Sequence, residues 1–372
     1  MRIFYFAHGT LHDYRFLVKL VEKGYDCHYV YLSPGGKRFE VKGVKSYCLT
    51  SGCHEEGNLF YRLAKALPAY NQFKKLLRET KPDILHAGWI PTVGFMAAFS
   101  NYHPLLLMPF ASDVLIFPQK SFIHREVVKY VIERADMITC DAEAVKKTIM
   151  EIADYPEEKI VTFPRGIDLK IFRPSEKDRL RVRQKLGWSD KKILIMTRTF
   201  RPVYGIEYFL RALPQVIEKV PQVKALLIGT GPLESHFHRI VNELKINNEV
   251  LFLGQVPNTD LVRYLNAADV YVSSSLSDGT SVSLLEAMAC ALPIVVTDVP
   301  AILEWVQDGV NGLVVPRKNI KQLAEKISYL LRNGDLAREM GKRNFEIAQE
   351  RANWDKNFKQ LEEMYATLMR SR

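Results

Sequence analysis

The residues with the densest chemistry lie in one run, Ser273-Ser274-Ser275-Leu276-Ser277-Asp278-Gly279-Thr280-Ser281-Val282-Ser283-Leu284-Leu285-Glu286-Ala287-Met288-Ala289-Cys290. A Ser/Thr/Gly loop passes here into an Ala-rich helix. Backbone N–H groups at the start of a helix have no partner within it, so the run predicts an anion site near Val282, Ser283 and Leu284. Asp278 and Glu286, eight residues apart, flank that N-terminus from the loop and from the first turn. The same residues also have a purely structural reading. Ser283-x-x-Glu286 has the form of a capping box, which stabilises a helix by about 1 kcal/mol and needs no ligand.

The loop must be carried by the strand before it, Ala268-Asp269-Val270-Tyr271-Val272. Short apolar strands of this kind recur. The pattern predicts them at 2–7, 27–32, 83–87, 105–108, 136–139 and 160–163, then at 192–197, 223–228, 249–253, 269–273 and 293–297. Many are apolar on both faces, as in Ile193-Leu194-Ile195-Met196, which is the mark of parallel strands covered by helices on both sides. Helical spacing lies between them, at 11–23, 59–80, 121–134, 205–219, 233–245 and 319–332. Repeated β-α units imply an α/β fold with doubly wound sheets. The alternation breaks near 166–190, at Gly166, Pro174 and the charged run Glu176 to Arg183, and then starts again. Two Rossmann-like domains are therefore expected, 1–173 and 174–352, facing a central cleft at the C-terminal ends of their strands. Trp354, Phe358, Leu361, Met364, Tyr365 and Leu368 predict a terminal helix within 353–372 that packs back on the first domain.

Composition bounds the rest. The chain has 372 residues, 47% apolar and 25% charged, which excludes disordered and fibrous classes. Its net charge of +10 is spread evenly along the sequence, which suits an anionic ligand or an acidic membrane surface and does not by itself argue for nucleic acid. Cys27, Cys48, Cys53, Cys140 and Cys290 match no zinc or redox spacing, so free thiols in a reducing, cytoplasmic compartment are expected. Met1 to Ala7 reads as a strand and not as a signal peptide. Residues 84–112 carry no Asp, Glu, Lys or Arg, yet Pro91, Asn101, His103, Pro104 and Pro109 interrupt them, so a buried strand, helix and strand are expected. Arg62, Lys65, Lys74, Lys75, Arg78 and Lys81 interleave with Leu63, Leu67, Phe73, Leu76 and Leu77. That is either an ordinary packed helix or a basic face for anionic lipid, at about 1 kcal/mol per base.

Several chemistries lack their motif. There is no D-x-D metal-diphosphate pair, no P-loop, no H-E-x-x-H and no Cys/His cluster, and Gly229-Thr230-Gly231 lacks the third glycine of a dinucleotide fingerprint.

The Asp278–Glu286 block resembles the E-x7-E region of retaining GT-B glycosyltransferases of family 4 (glycosyl transferases group 1), in a variant with Ser-Asp-Gly-Thr-Ser in place of the usual Glu-Gly block. The resemblance covers nearly the whole chain. Phe163-Pro164-Arg165-Gly166-Ile167-Asp168 with Phe172-Arg173-Pro174 resembles the family's junction segment. Thr197-Arg198-Thr199-Phe200-Arg201-Pro202-Val203-Tyr204-Gly205 resembles its G-R-L…K-G segment, and Ile228-Gly229-Thr230-Gly231-Pro232 its G-x-G-P turn. Leu253-Gly254-Gln255-Val256, Tyr264 to Asp269, and Glu304 to Leu313 also fit. Pro82-Asp83-Ile84-Leu85-His86 resembles P-D-I-V-H, where His86 is either a cleft residue or a satisfied core histidine.

The resemblance implies the GT-B fold and a set of roles. Glu286 matches the residue that binds the donor ribose, and Asp278 the one that contacts the donor sugar, one methylene shorter than the usual Glu. Gly279, Thr280, Ser281, Val282, Ser283 and Leu284 match the backbone that holds sugar and diphosphate, and Arg198 the cation that neutralises the diphosphate. The family's partner Lys is absent, because Tyr204 precedes Gly205 in its place. A charge-assisted bond contributes roughly 1.5–3 kcal/mol, so its loss costs rate unless another cation serves, and Arg201 is the nearest. Gly9, in His8-Gly9-Thr10, matches the glycine-rich loop near the donor phosphates, and Val256 lies where the base is bound. Phe110-Ala111-Ser112-Asp113 replaces H-G-x-D, so the family His is missing and Asp113 remains as the polar group for sugar or acceptor.

The implied function is a retaining, hexosyltransferase-type enzyme moving a sugar from a nucleotide-diphosphate sugar to a hydroxyl acceptor, a glycan or lipid-linked molecule of polysaccharide biosynthesis. No cofactor or metal is expected beyond the donor substrate, and no nucleic acid. The expected location is cytoplasmic, peripheral on an anionic membrane surface. Two other readings keep the donor site: a nucleotide-sugar epimerase or hydrolase, and a non-catalytic nucleotide-sugar binding protein.

Overall fold

The computed structural model describes residues 1–9, 11–32, 40–49 and 59–370. Two compact units divide the chain, Met1–Phe163 with Lys359–Arg372, and Pro164–Phe358.

The first unit is built on a parallel sheet of β1 (Arg2–Ala7), β2 (Asp26–Leu32), β3 (Lys45–Leu49), β4 (Ile84–Gly88), β5 (Leu105–Met108), β6 (Met137–Cys140) and β7 (Ile160–Thr162). Their order is β3-β2-β1-β4-β5-β6-β7. β1 lies inside the sheet: Phe4 pairs with His28 on one side, and Tyr5 with His86 on the other. Ile3 to Ala7 are all fully buried, because helices cover both faces of the strand. Residues 84–112 fold as expected, into β4, helical turns Ile90–Gly94 and Phe95–Phe99, and β5. His86 is a core residue whose Nδ1 lies 2.7 Å from the Tyr365 hydroxyl.

The second unit holds β8 (Lys192–Thr197), β9 (Val223–Ile228), β10 (Val250–Gly254), β11 (Val270–Ser273), β12 (Ile294–Thr297) and β13 (Leu313–Val315), in the parallel order β10-β9-β8-β11-β12-β13. Successive residues of β8 serve opposite cores. Leu194 and Met196 pack with Phe209, Leu213 and Ile327, whereas Ile193 and Ile195 pack with Leu284, Met288 and Trp305. That is the two-residue period of a strand buried on both faces.

Two strands escape the sequence pattern. β3 is an edge strand with mostly partial exposure, and β13 is three residues long between Gly312 and Pro316, so neither builds an apolar run. The charged run expected to interrupt the fold is instead a helix, Glu176–Leu186. Its charge is held by structure: Arg179 and Arg183 donate to the two oxygens of Asp269 at 2.7 and 2.6 Å, and Arg183 also reaches the carbonyls of Ala267 and Lys191. An anchor made of guanidinium groups leaves no apolar stripe to read.

Cys27, Cys48, Cys140 and Cys290 are free thiols, and Cys53 lies outside the described residues. Among the described residues no helix is long and apolar enough to cross a membrane. The basic segment lies on helix Leu59–Thr80, with Ala69, Phe73 and Leu77 buried and Lys74, Lys75 and Arg78 exposed. The side chains of Arg62, Leu63 and Lys65 are outside the described residues.

Candidate functional site

In the second unit the C-terminal ends of β8 and β11 bring Arg198 to the Asp278 loop. Arg198 follows β8 directly, and its position is set by backbone contacts that admit only glycine. A Cβ on Gly229 would stand 2.1 Å from the Arg198 carbonyl oxygen, and one on Gly231 within 2.9 Å of three Phe200 backbone atoms. Gly205 has φ +56 and approaches the Ser274 carbonyl, where a Cβ would meet the oxygen at 2.2 Å. The G-x-G turn and the glycine after Tyr204 are thus sites of close backbone approach.

The guanidinium of Arg198 is the hub. Nη1 donates to the hydroxyls of Ser281 at 2.6 Å and Ser283 at 2.9 Å, and Nη2 donates to Asp278 Oδ2 at 2.6 Å. Its Cζ lies over the Tyr204 ring, 3.8 Å from the centroid. The Tyr271 hydroxyl donates to Ser283 Oγ at 3.1 Å. Burial works most strongly against the Arg198 cation, yet Asp278, Tyr204 and Tyr271 together outweigh it and hold the pKa above its ordinary value. Burial pushes the Asp278 carboxyl up, with Arg198 and Ser281 opposing it. Arg198 Nε is buried with no hydrogen-bond partner among the described residues. A buried N–H left in this way costs about 1–3 kcal/mol until an acceptor arrives.

The helix after the loop runs Val282–Ala289, and Ser281 is its N-cap, accepting from the Leu284 N–H at 3.4 Å. The expected capping box at Ser283 is therefore corrected. The helix starts two residues earlier than that motif requires, and Ser283 spends its hydroxyl on Arg198 and Tyr271. The Val282 and Ser283 N–H groups have no acceptor among the described residues. Gly279 and Thr280 are buried, and Thr280 Oγ1 accepts from the Trp305 indole at 3.3 Å. Leu284 is core, and Glu286 is buried on the same short helix. Val256 is half-buried against the same core, just after Gly254 with φ +73. Arg201 is exposed and makes no side-chain hydrogen bond or ion pair among the described residues. Arg198, Asp278, Ser281 and Ser283 are thus brought together, and Arg201 is not joined to them.

Asp113 and Gly9 lie in the first unit. Asp113 is fully buried, its Oδ2 accepting from the Ile90 N–H and its Oδ1 from the Phe110 N–H, both at 2.9 Å. Gly9 takes φ +82 just after β1. Beside it, His8 Nε2 lies 2.6 Å from Thr92 Oγ1. Burial lowers the His8 pKa to about 4, so the imidazole is neutral near pH 7. Among the described residues no three His, Cys, Asp or Glu side chains gather as cation ligands.

Sequence reasoning missed Tyr204 as the platform under Arg198, and the hydroxyls of Ser281 and Ser283 as its partners. It also passed over Trp89 and Thr92. Tyr204 was legible only as a departure, an aromatic where a Lys is expected.

Residues 178–346 match the family described as Glycosyl transferases group 1, and residues 2–142 match Glycosyl transferase 4-like. An uncharacterized glycosyltransferase of Methanocaldococcus jannaschii is 26% identical over 308 residues, spanning 79% of this chain and 77% of that protein. The N-acetyl-alpha-D-glucosaminyl L-malate synthase of Bacillus anthracis is 29% identical over 245 residues, 66% of this chain and 63% of that one. Sucrose-phosphate synthase from Thermosynechococcus elongatus has the same fold, with a TM-score of 0.84 at 20% identity over the full length of both chains. So has Anabaena HepE in complex with UDP-glucose, with a TM-score of 0.82 at 18% identity over 99% of this chain and 100% of that one.

Proposed function

From a chain that carries a glycosyl transferases group 1 domain in its second unit and a glycosyl transferase 4-like domain in its first, we propose a retaining sugar transferase. It uses a nucleotide-diphosphate sugar and needs no metal. The observation that carries the reading is Arg198: a guanidinium fixed on four sides, with Nε–H buried and unpartnered, on the same wall as the open Val282 and Ser283 N–H groups. A diphosphate supplies the acceptors that these donors lack.

In this reading the second unit binds the donor. Arg198 and the helix N-terminus hold the diphosphate, Glu286 the ribose, and Asp278 a sugar hydroxyl. The acceptor oxygen forms a bond to the anomeric carbon on the face that the diphosphate leaves. The carbon–oxygen bond to phosphate breaks, and the acceptor proton passes to the departing phosphate oxygen. Charge developing on that oxygen is met by donors already in place, which lowers the barrier without reorganisation. Tyr204 compensates for the missing Lys by immobilising Arg198, and Arg201 supplies a further exposed cation. The first unit takes the acceptor, and Asp113 positions its loops. The acceptor is a glycan or lipid-linked hydroxyl, with the exposed bases of helix Leu59–Thr80 suited to an anionic membrane surface at the cytoplasmic side.

Calorimetric titration with UDP, GDP, ADP and CMP tests the donor site. One diphosphate is expected to bind, and Arg198→Ala and Glu286→Ala each to weaken it at least tenfold. Binding of none, or binding indifferent to both substitutions, would overturn the reading. Anomeric configuration of the first product, read by NMR, tests retention.

A further inference from the structure

The ends of β1 and β4 carry a second cluster, beside Gly9, whose side chains have no part in the proposed donor contacts. β1 pairs with both β2 and β4, and the chain winds from β1 towards β3 on one side before returning to β4 on the other. Strand order reverses there, and the C-terminal crevice at such a reversal is the favoured ligand site of an open parallel sheet. Among the described residues, His8 gathers two further side chains there, beside Phe110. His8 follows β1, Trp89 follows β4, and Thr92 lies one turn further on. The imidazole bonds Thr92 and stands edge-on to the indole, with ring centroids 6.0 Å apart. Trp89 remains partly exposed, although β4 before it is wholly buried.

The backbone holds this indole at a cost. Trp89 has φ 65 and ψ 95, and Ala111 has φ 63 and ψ −59, both unfavourable for residues with a Cβ. Each such residue costs on the order of 1–3 kcal/mol and persists only where its surroundings enforce it. Asp113 is the enforcing group. One carboxylate oxygen takes the N–H after Trp89, and the other takes the N–H before Ala111. The turn Ile90–Gly94 is wound as a π-helix, a form that gathers at functional sites.

We propose that Trp89, His8 and Thr92 form a subsite for a neutral pyranose ring of the acceptor. The C–H face of the ring lies on the indole, and a ring hydroxyl bonds the His8–Thr92 pair. A sugar ring presents one apolar face and a rim of hydroxyls, which is what an aromatic surface beside an uncharged hydrogen-bonding pair accommodates. A phosphate would find no cation among these three side chains, because His8 is neutral. Asp113 acts here as a positioning residue, through the two backbone amides.

The inference rests on the acceptor half of the proposed function, so the test reads both halves separately. Saturation-transfer NMR on the full chain uses the methyl α-glycosides of glucose, galactose, mannose and N-acetylglucosamine. UDP and GDP titrations are run on the same samples. At least one glycoside is expected to receive saturation from the wild type. Trp89→Ala should abolish that signal, Trp89→Phe should retain it, and Thr92→Val should reduce it severalfold. Nucleotide affinity should stay within twofold in all three. Trp89→Gly, which removes the backbone strain, should melt no lower than Trp89→Ala and should also lose the signal, which separates loss of the indole from misfolding. No glycoside signal from the wild type, or a full signal from Trp89→Ala, would sink the subsite. Nucleotide binding without a glycoside signal rejects the subsite alone, and the converse rejects the donor site alone.

Discussion

Arg198 and Asp278 form a neutral pair at 2.6 Å, with their side chains 9% and 15% exposed. In the proposed donor site, an anion would meet a cation whose charge is already engaged. Asp278→Asn keeps the shape and removes the negative charge. Calorimetry is expected to show a free nucleoside diphosphate binding about tenfold tighter, a gain of roughly 1.4 kcal/mol. Transfer should fall, because the sugar loses its carboxylate contact. Unchanged or weaker diphosphate binding would mean that Asp278 does not compete for Arg198.

The Tyr204 ring lies under the same guanidinium. A cation–π contact of this kind contributes about 0.5–2 kcal/mol. Tyr204→Ala should weaken diphosphate binding about threefold to tenfold, and Tyr204→Phe by less than twofold. If Phe loses as much as Ala, the hydroxyl matters and not the ring face.

His8 gives a pH signature. Its pKa falls from 6.5 in the unfolded chain to about 4 in the fold. Between these values the unfolded chain binds more protons, so stability rises with pH across the window. The contribution of neutral His8 is complete above pH 6.5 and is lost as pH drops towards 4. Measured by denaturant midpoints from pH 7 down to pH 4, wild type should lose more stability than His8→Gln, which cannot take up the proton. Parallel curves would show that His8 does not titrate in this way.

Asp269 ties helix Glu176–Leu186 to the second sheet through Arg179, Arg183 and the Ile193 N–H. Removing one partner from a mostly buried ionic cluster strands the others, at about 3–5 kcal/mol. Asp269→Ala should lower stability by about 3 kcal/mol in urea titrations. A loss under 1 kcal/mol would mean that the cluster is solvated well enough to be dispensable.

The alternation of strand and helix, the doubling of that series and the Asp278–Glu286 block are legible in the sequence alone. Each is a local property: apolar runs such as Ile193 to Met196, Gly/Ser/Thr loops before helices, and motifs in a fixed order. Glycine positions were legible as motifs, whereas their reason, the carbonyl contacts of Gly229 and Gly205, belongs to three dimensions. The tertiary structure alone decided what Ser283 does. Its spacing to Glu286 suits a cap, but Arg198, 85 residues away, offers a charged donor to its hydroxyl. It likewise decided that a run of guanidinium groups is an anchored helix, and that Trp89 is held in a conformation that nothing in its own neighbourhood favours. Charge pairing and strain arise between segments remote in the chain, and a reading of local pattern has no access to them.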